Sequence, residues 1–204
     1  MQSASLAKPL LIVTIGPPGA GKSFFARQFA ESFNAPLVSF DEIRAELFND
    51  ISYTNDEDLI VARVAGLQLR ELLRTKKSIV IDGGHNPKIS RLELSRIARE
   101  KGYSVLNVWV QTDERTARSR ATKRTAATQA ASFNRPLSDH EFETHAKKFT
   151  PPNQQEVYVV ISGRHTYPAQ ARTVLKKMIP NHEPAQPKER PASPQQGRRT
   201  LSIN

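Results

Sequence analysis

Residues 10–23 read LLIVTIGPPGAGKS, an apolar run that breaks into glycine and proline and restarts at a lysine and a serine. No other stretch constrains the fold so tightly. The run has the length of a buried strand, and Phe25, Phe29 and Phe33 then recur at four-residue spacing, which predicts a helix over 21–33. Between them lies a complete G-x-x-x-x-G-K-S motif. Its glycines let backbone amides turn inward onto phosphate oxygens, and the helix N-terminus adds partial positive charge. Gly16, Gly19, Ala20, Gly21 and Phe24 are therefore expected to line a nucleoside triphosphate site for ATP. Lys22 would reach the β- and γ-phosphates, and the Ser23 hydroxyl would ligate Mg²⁺.

The remaining chain alternates strand and helix patterns. Strands are expected near 37–39 and in SIVID, SVLNVWV and EVYVVISG, with helices in DEIRAELF, 56–75, PKISRLELSRIAREKG and YPAQARTVLKKMI. Within 56–75, Ile60, Val64 and Leu67 fall on one helical face and are expected to be its buried stripe. Such alternation predicts an α/β fold, a three-layer P-loop domain with a five-stranded, mainly parallel sheet. Residues 113–149 are polar and rich in arginine (Arg115, Arg118, Arg120, Lys123, Arg124), without the stripe of a core helix, and suit a helical lid over a ligand. The proline-rich segment 181–204 reads as a disordered tail, which leaves one domain over 8–180.

A formal net charge of +10 favours anionic partners, nucleic acid among them, and the stretch from Pro180 onward contributes only +2 of it. With no cysteine, neither a disulfide framework nor a thiolate zinc site is available. No run reaches membrane-spanning length, so the expectation is a soluble, cytoplasmic protein without a membrane partner.

Transfer of a phosphoryl group requires an acceptor site as well. Asp41 and Arg44 stand three residues apart at a helix start, which places a carboxylate beside a guanidinium. The carboxylate can take the proton of an acceptor hydroxyl, and the guanidinium can hold an anionic acceptor. Asp82 ends an apolar strand, where ligands of open α/β sheets gather, and could hold Mg²⁺ through water; Asn86, four residues on, could position the acceptor. Arg120 and Arg124 are one helical turn apart and could clamp the charge of the transferring group.

This set of motifs resembles the polynucleotide kinase branch of P-loop kinases, including the kinase domains of phage and bacterial 5′-hydroxyl polynucleotide kinases, over about residues 8–180. The resemblance implies that Lys22 and Ser23 bind triphosphate and magnesium, that Asp41 is the general base, and that Arg44 contacts an acceptor phosphate. It gives Arg124 the bridge across the donor phosphates, with Arg120 in support, and implies the nucleoside-kinase strand order. The expected activity is transfer of the γ-phosphate of ATP to the 5′-hydroxyl of a polynucleotide or nucleotide. Small-molecule kinases and zeta-type toxin kinases share the same skeleton and stand as the alternative, and a nucleotide-binding ATPase module with a basic docking face as a second. No D-x-D-x-T phosphatase signature is present.

Overall fold

The computed structural model describes residues 8–125 and 135–178. The expected tail, 181–204, and the middle of the expected lid lie outside the described residues. Five strands, β1 (Leu10–Ile15), β2 (Leu37–Ser39), β3 (Ile79–Asp82), β4 (Ser104–Gln111) and β5 (Tyr158–Ser162), form one sheet in the order β2-β3-β1-β4-β5. Every pairing is parallel, with Thr14 opposite Asp82 and Val108 on its two sides. The most apolar strand, β1, lies at the centre and is buried on both faces, as all-parallel sheets require.

Seven helices are described: α1 (Lys22–Ser32), α2 (Phe40–Leu47), α3 (Asn55–Arg74), α4 (Lys88–Glu100), α5 (Glu114–Thr122), α6 (Asp139–Lys147) and α7 (Tyr167–Met178). Helices α1 and α7 cover one face of the sheet. Phe25 and Phe29 of α1 and Val174 of α7 pack there with Ile12, Val80, Val108 and Ile161. Helices α2, α3 and α4 cover the other, where Ile43, Leu69 and Leu94 meet Val13, Ile81 and Val105. Polar residues fix where these helices begin. The Ser39 hydroxyl accepts from Glu42 N at α2, Thr54 caps α3, and Ser138 with Glu141 forms a capping box at α6.

The buried face of α3 differs from the expected one. Val61, Ala65, Leu69 and Leu73 point inward together with Glu57, whereas Ile60 and Leu67 are exposed and Val64 is half-buried. The inward row holds an alanine and a carboxylate, so hydrophobicity alone favoured the wrong face. Glu57 turns inward because it meets Arg44 there at 2.9 Å. Among the described residues no helix is long and apolar enough to cross a membrane.

Because all strands run the same way, Gly16, Phe40, Gly83, Thr112 and Gly163, each at or just beyond a strand's C-terminus, gather at one end of the sheet. The segments that lead into the strands gather at the other.

Candidate active site

The loop after β1 is held from two sides, and the ends of β4 and β5 beneath it are joined to each other. Gly16 N donates to Asn86 Oδ1 at 3.0 Å, the Thr112 hydroxyl donates to Ala20 O at 2.9 Å, and Gly163 N donates to Gln111 O at 2.8 Å. Two of its contacts leave no room for a side chain. A Cβ on Gly19, whose φ is +73°, would lie 2.0 Å from the carbonyl oxygen of Ala117 in α5, and one on Gly163 would lie 1.9 Å from that of Ala20. Gly21 starts α1 at φ 105° with no side-chain cap, so the first amides of the helix keep their capacity to bind an anion. Ser23 lies in this first turn, half-buried, and Phe24 beside it has an exposed side chain.

Lys22 folds back over the loop, donating from Nζ to Pro17 O at 3.0 Å. Burial lowers its ammonium pKa, and the carboxylates of Asp82 and Asp41 act in the opposite direction, while Arg124 adds to the lowering. That pattern of influence brings four of the expected residues, Lys22, Asp41, Asp82 and Arg124, into one electrostatic neighbourhood. Asp82 is buried at the end of β3 and accepts the Thr14 hydroxyl at 2.7 Å through Oδ1. The Ser23 hydroxyl and the Asp82 carboxylate are oxygen donors of the kind a hard divalent cation prefers, so the residues present fit Mg²⁺.

Other expected residues are engaged differently. Asn86 uses its side-chain oxygen on the phosphate loop, and its carbonyl accepts from Arg91 Nη1 at 2.6 Å and Thr150 N at 3.1 Å. In this structure it is a joint between the loop, α4 and the segment after α6. Arg91 is itself buried and paired with Glu156 at 2.6 Å. Arg44 is also buried. It donates to Glu57 at 2.9 Å and to Asp58 at 2.5 Å, and its guanidinium lies 5.2 Å from the centre of the Tyr53 ring. The free fork expected for an acceptor phosphate is thus already occupied by two carboxylates of α3. Burial raises the carboxyl pKa of Glu57, but hydrogen bonds from Ser52, Tyr53 and Arg44 outweigh it and the net shift is downward.

Helices α5 and α6 pack through Ala117, Ala121, Leu137 and Phe142, with Arg118 over the Phe142 ring and bonded to Glu114, Asp139 and Glu143. Arg120 donates to Gly163 O at 3.0 Å, and Arg124 donates to Arg135 O at 3.3 Å. Neither was legible as a backbone contact in the sequence.

Sequence reasoning also missed Tyr53. It adopts a left-handed conformation at φ 55°, between the guanidiniums of Arg44 and Arg135, and His145 of α6 meets its ring edge-on at 5.5 Å. Burial, then the Asp41 carboxylate, push its hydroxyl up to about 12, against the nearby arginines. Arg135 bonds Ile51 O at 2.9 Å and pairs with Glu141, while Lys148 pairs with Asp58 at 3.3 Å. These contacts fasten the α5–α6 unit to the wall that carries Asp41 and Arg44. They join residues far apart in the chain, and no spacing signal could have found them.

A parallel sheet in the order 2-3-1-4-5 with a glycine-rich phosphate loop after its central strand defines a P-loop nucleotide-binding fold. The model of a family described as an AAA domain (AAA_33) matches residues 11–152, and the chain belongs to that family. It is similar to a shikimate kinase of Corynebacterium efficiens, 50% identical over 38 residues, which is 19% of this chain and 22% of that protein. Among solved structures it resembles a sugar kinase from Janibacter sp. HTCC2649, with a TM-score of 0.61 and 14% identity over 84% of this chain and 94% of that one. A chain of the Pnkp1/Rnl/Hen1 RNA repair complex is similar at a TM-score of 0.57 and 21% identity, over 72% of this chain and 46% of that one.

Proposed function

We propose that the protein transfers the γ-phosphate of ATP to the hydroxyl of a small, uncharged polar molecule such as a sugar or polyol. Lys22, the amides of the loop and Arg124 hold the donor phosphates, with Arg120 keeping α5 against the Gly163 turn. Ser23, and Asp82 through water, would hold Mg²⁺, which when bound would neutralise charge at the transferring group. Asp41 takes the proton from the acceptor hydroxyl as its oxygen attacks the γ-phosphorus and the bond to ADP breaks.

The observation that carries the acceptor reading is the pairing of Arg44 with Glu57 and Asp58, and of Arg135 with Glu141. Among the described residues, the two guanidiniums that flank Tyr53 are both paired with carboxylates, so a neutral polyhydroxy compound is the better match for this wall. The similarity to a sugar kinase supports this reading. A 5′-hydroxyl polynucleotide is the second reading, favoured by the Asp41 and Arg44 spacing.

Incubation with γ-labelled ATP, Mg²⁺ and parallel panels of sugars, polyols and 5′-hydroxyl oligonucleotides separates the two. Label on a small molecule is expected; label on the oligonucleotides alone would establish the second reading instead. Asp41→Asn should lower kcat by about 10²-fold or more while ATP binding persists, the range lost with a general base. Unchanged turnover in that variant would exclude the assigned base.

A further inference from the structure

The net charge of the chain is unevenly distributed. Lys8 precedes β1, Lys76 and Lys77 precede β3, and Lys101 precedes β4, so all four lie at the end of the sheet opposite the phosphate loop. All are exposed. Direct bonds hold these three approach segments together: Lys76 Nζ donates to Lys101 O at 2.7 Å, Tyr103 Oη to Lys77 O at 3.0 Å, and Ser104 N to Pro9 O at 3.0 Å. Helices α3 and α4 end on the same side and add Arg74 and Arg99. The acids nearby are Glu71, which pairs with Arg74, Glu100, which pairs with Arg96, and the exposed Glu31 in the last turn of α1. Lys176 and Lys177 close α7 at this end as well.

Helix C-termini attract cations, but each carries only about half a negative charge. Four helices, α1, α3, α4 and α7, end on this side and together offset about two of the positive charges, and Lys8, Lys76 and Lys77 lie beyond the helices altogether. On the acceptor wall, by contrast, Arg44 pairs with Glu57 and Asp58, and Arg135 with Glu141. Lys8, Lys76, Lys77 and Lys101 thus stand about 20 Å from the phosphate loop, the length of a six-residue strand.

We infer that this end of the sheet is a docking surface for the phosphodiester backbone of a nucleic acid, separate from the acceptor site. The three segments place lysines from different parts of the chain side by side. None of the exposed large hydrophobic side chains belongs to them. A contact made by lysines without apolar anchors is a counterion-release contact, the sequence-independent kind that a phosphate backbone provides. The inference does not depend on the acceptor's identity, and it accounts for the net charge without requiring a polynucleotide in the active site.

A 5′-phosphorylated, 3′-blocked fluorescent DNA oligonucleotide has no terminal hydroxyl to accept phosphate and serves as the probe. Anisotropy titration of the full chain should give salt-dependent binding. Lys76→Glu/Lys77→Glu/Lys101→Glu should weaken it by about tenfold or more and reduce the salt slope by about 2, at about 0.7 for each lost single-strand contact. Lys22→Ala, at the opposite end, should bind the probe as the unsubstituted chain does. Lys8→Glu/Arg99→Glu gives an independent test, with ATP binding checked in the charge-reversed variants, and thermal melting in Lys22→Ala, to establish that each has folded. Unaltered binding in both charge-reversed variants would overturn the inference, as would loss of binding in Lys22→Ala. Tighter binding to phosphatidylserine vesicles would assign the surface to a membrane, and equal binding to polyglutamate would reduce it to a nonselective polyanion site.

Discussion

Gly163 carries no positive φ, yet no other residue fits where it stands. Its Cα faces the carbonyl of Ala20, and an added methyl would sit 1.9 Å from that oxygen and 2.3 Å from Thr112 Oγ1. Both atoms belong to the frame of the phosphate loop, so Gly163→Ala must push the loop out of place. ATP binding should weaken by about tenfold, a loss of about 1.4 kcal/mol, measured by titration with a fluorescent ATP analogue. Unchanged affinity would mean that the loop yields without consequence. Glu141 supports a second expectation. Hydrogen bonding to Arg135 holds its pKa down at about 2, well below the ordinary 4.5, with further help from Ser138. A depressed carboxylate stabilises the folded state above its unfolded pKa, and that contribution disappears as pH falls through the folded one. Glu141→Gln should therefore flatten the loss of stability between about pH 4.5 and about pH 2, read from thermal melts across that range. An acid limb identical to that of the unsubstituted chain would remove Glu141 from the set of stabilising carboxylates.

At the scale of elements, α3 distinguishes what the sequence makes legible from what it does not. The strands and α1 could be read directly, because a central parallel strand is apolar on both faces and the Phe25 and Phe29 stripe has nothing to compete with it. In α3 two stripes compete. The one with Ile60 and Leu67 faces solvent, and the inward turn of Glu57 lets it accept from Arg44, Ser52 and Tyr53. A long-range ion pair therefore fixed the rotation of the helix, and a periodicity argument contains no such pair. Leu69→Ala, on the buried row, should cost about 2–5 kcal/mol of stability. Leu67→Ala, 55% exposed, should stay within about 0.5 kcal/mol. Denaturant unfolding of the two variants measures the difference, and equal losses would place both residues in the core. The acceptor wall was obscure for the same reason. Asp41 and Arg44 were visible as a spacing, but the carboxylates that neutralise Arg44 belong to another helix, and Arg135 reaches Tyr53 from beyond the lid.

For the whole molecule, the separation of charge makes salt a diagnostic of which end of the sheet a partner uses. The sequence showed how basic the chain is but gave no address for the charge, because that address depends on all five strands being parallel. On the acceptor wall and the lid three arginines are matched: Arg44 by Glu57 and Asp58, Arg135 by Glu141, Arg118 by Glu114, Asp139 and Glu143. A neutral acceptor entering such a site displaces few counterions, and its KM should change by less than about twofold between about 50 and about 200 mM salt. A nucleic acid on the lysines of the opposite end displaces several. With three to five phosphate contacts at about 0.7 each, its affinity should fall on the order of 20- to 100-fold over that fourfold rise in salt. Measuring both on one preparation compares the two ends directly. An acceptor KM that climbs as steeply as the oligonucleotide Kd would show that the acceptor is itself a polyanion, bound through the basic end.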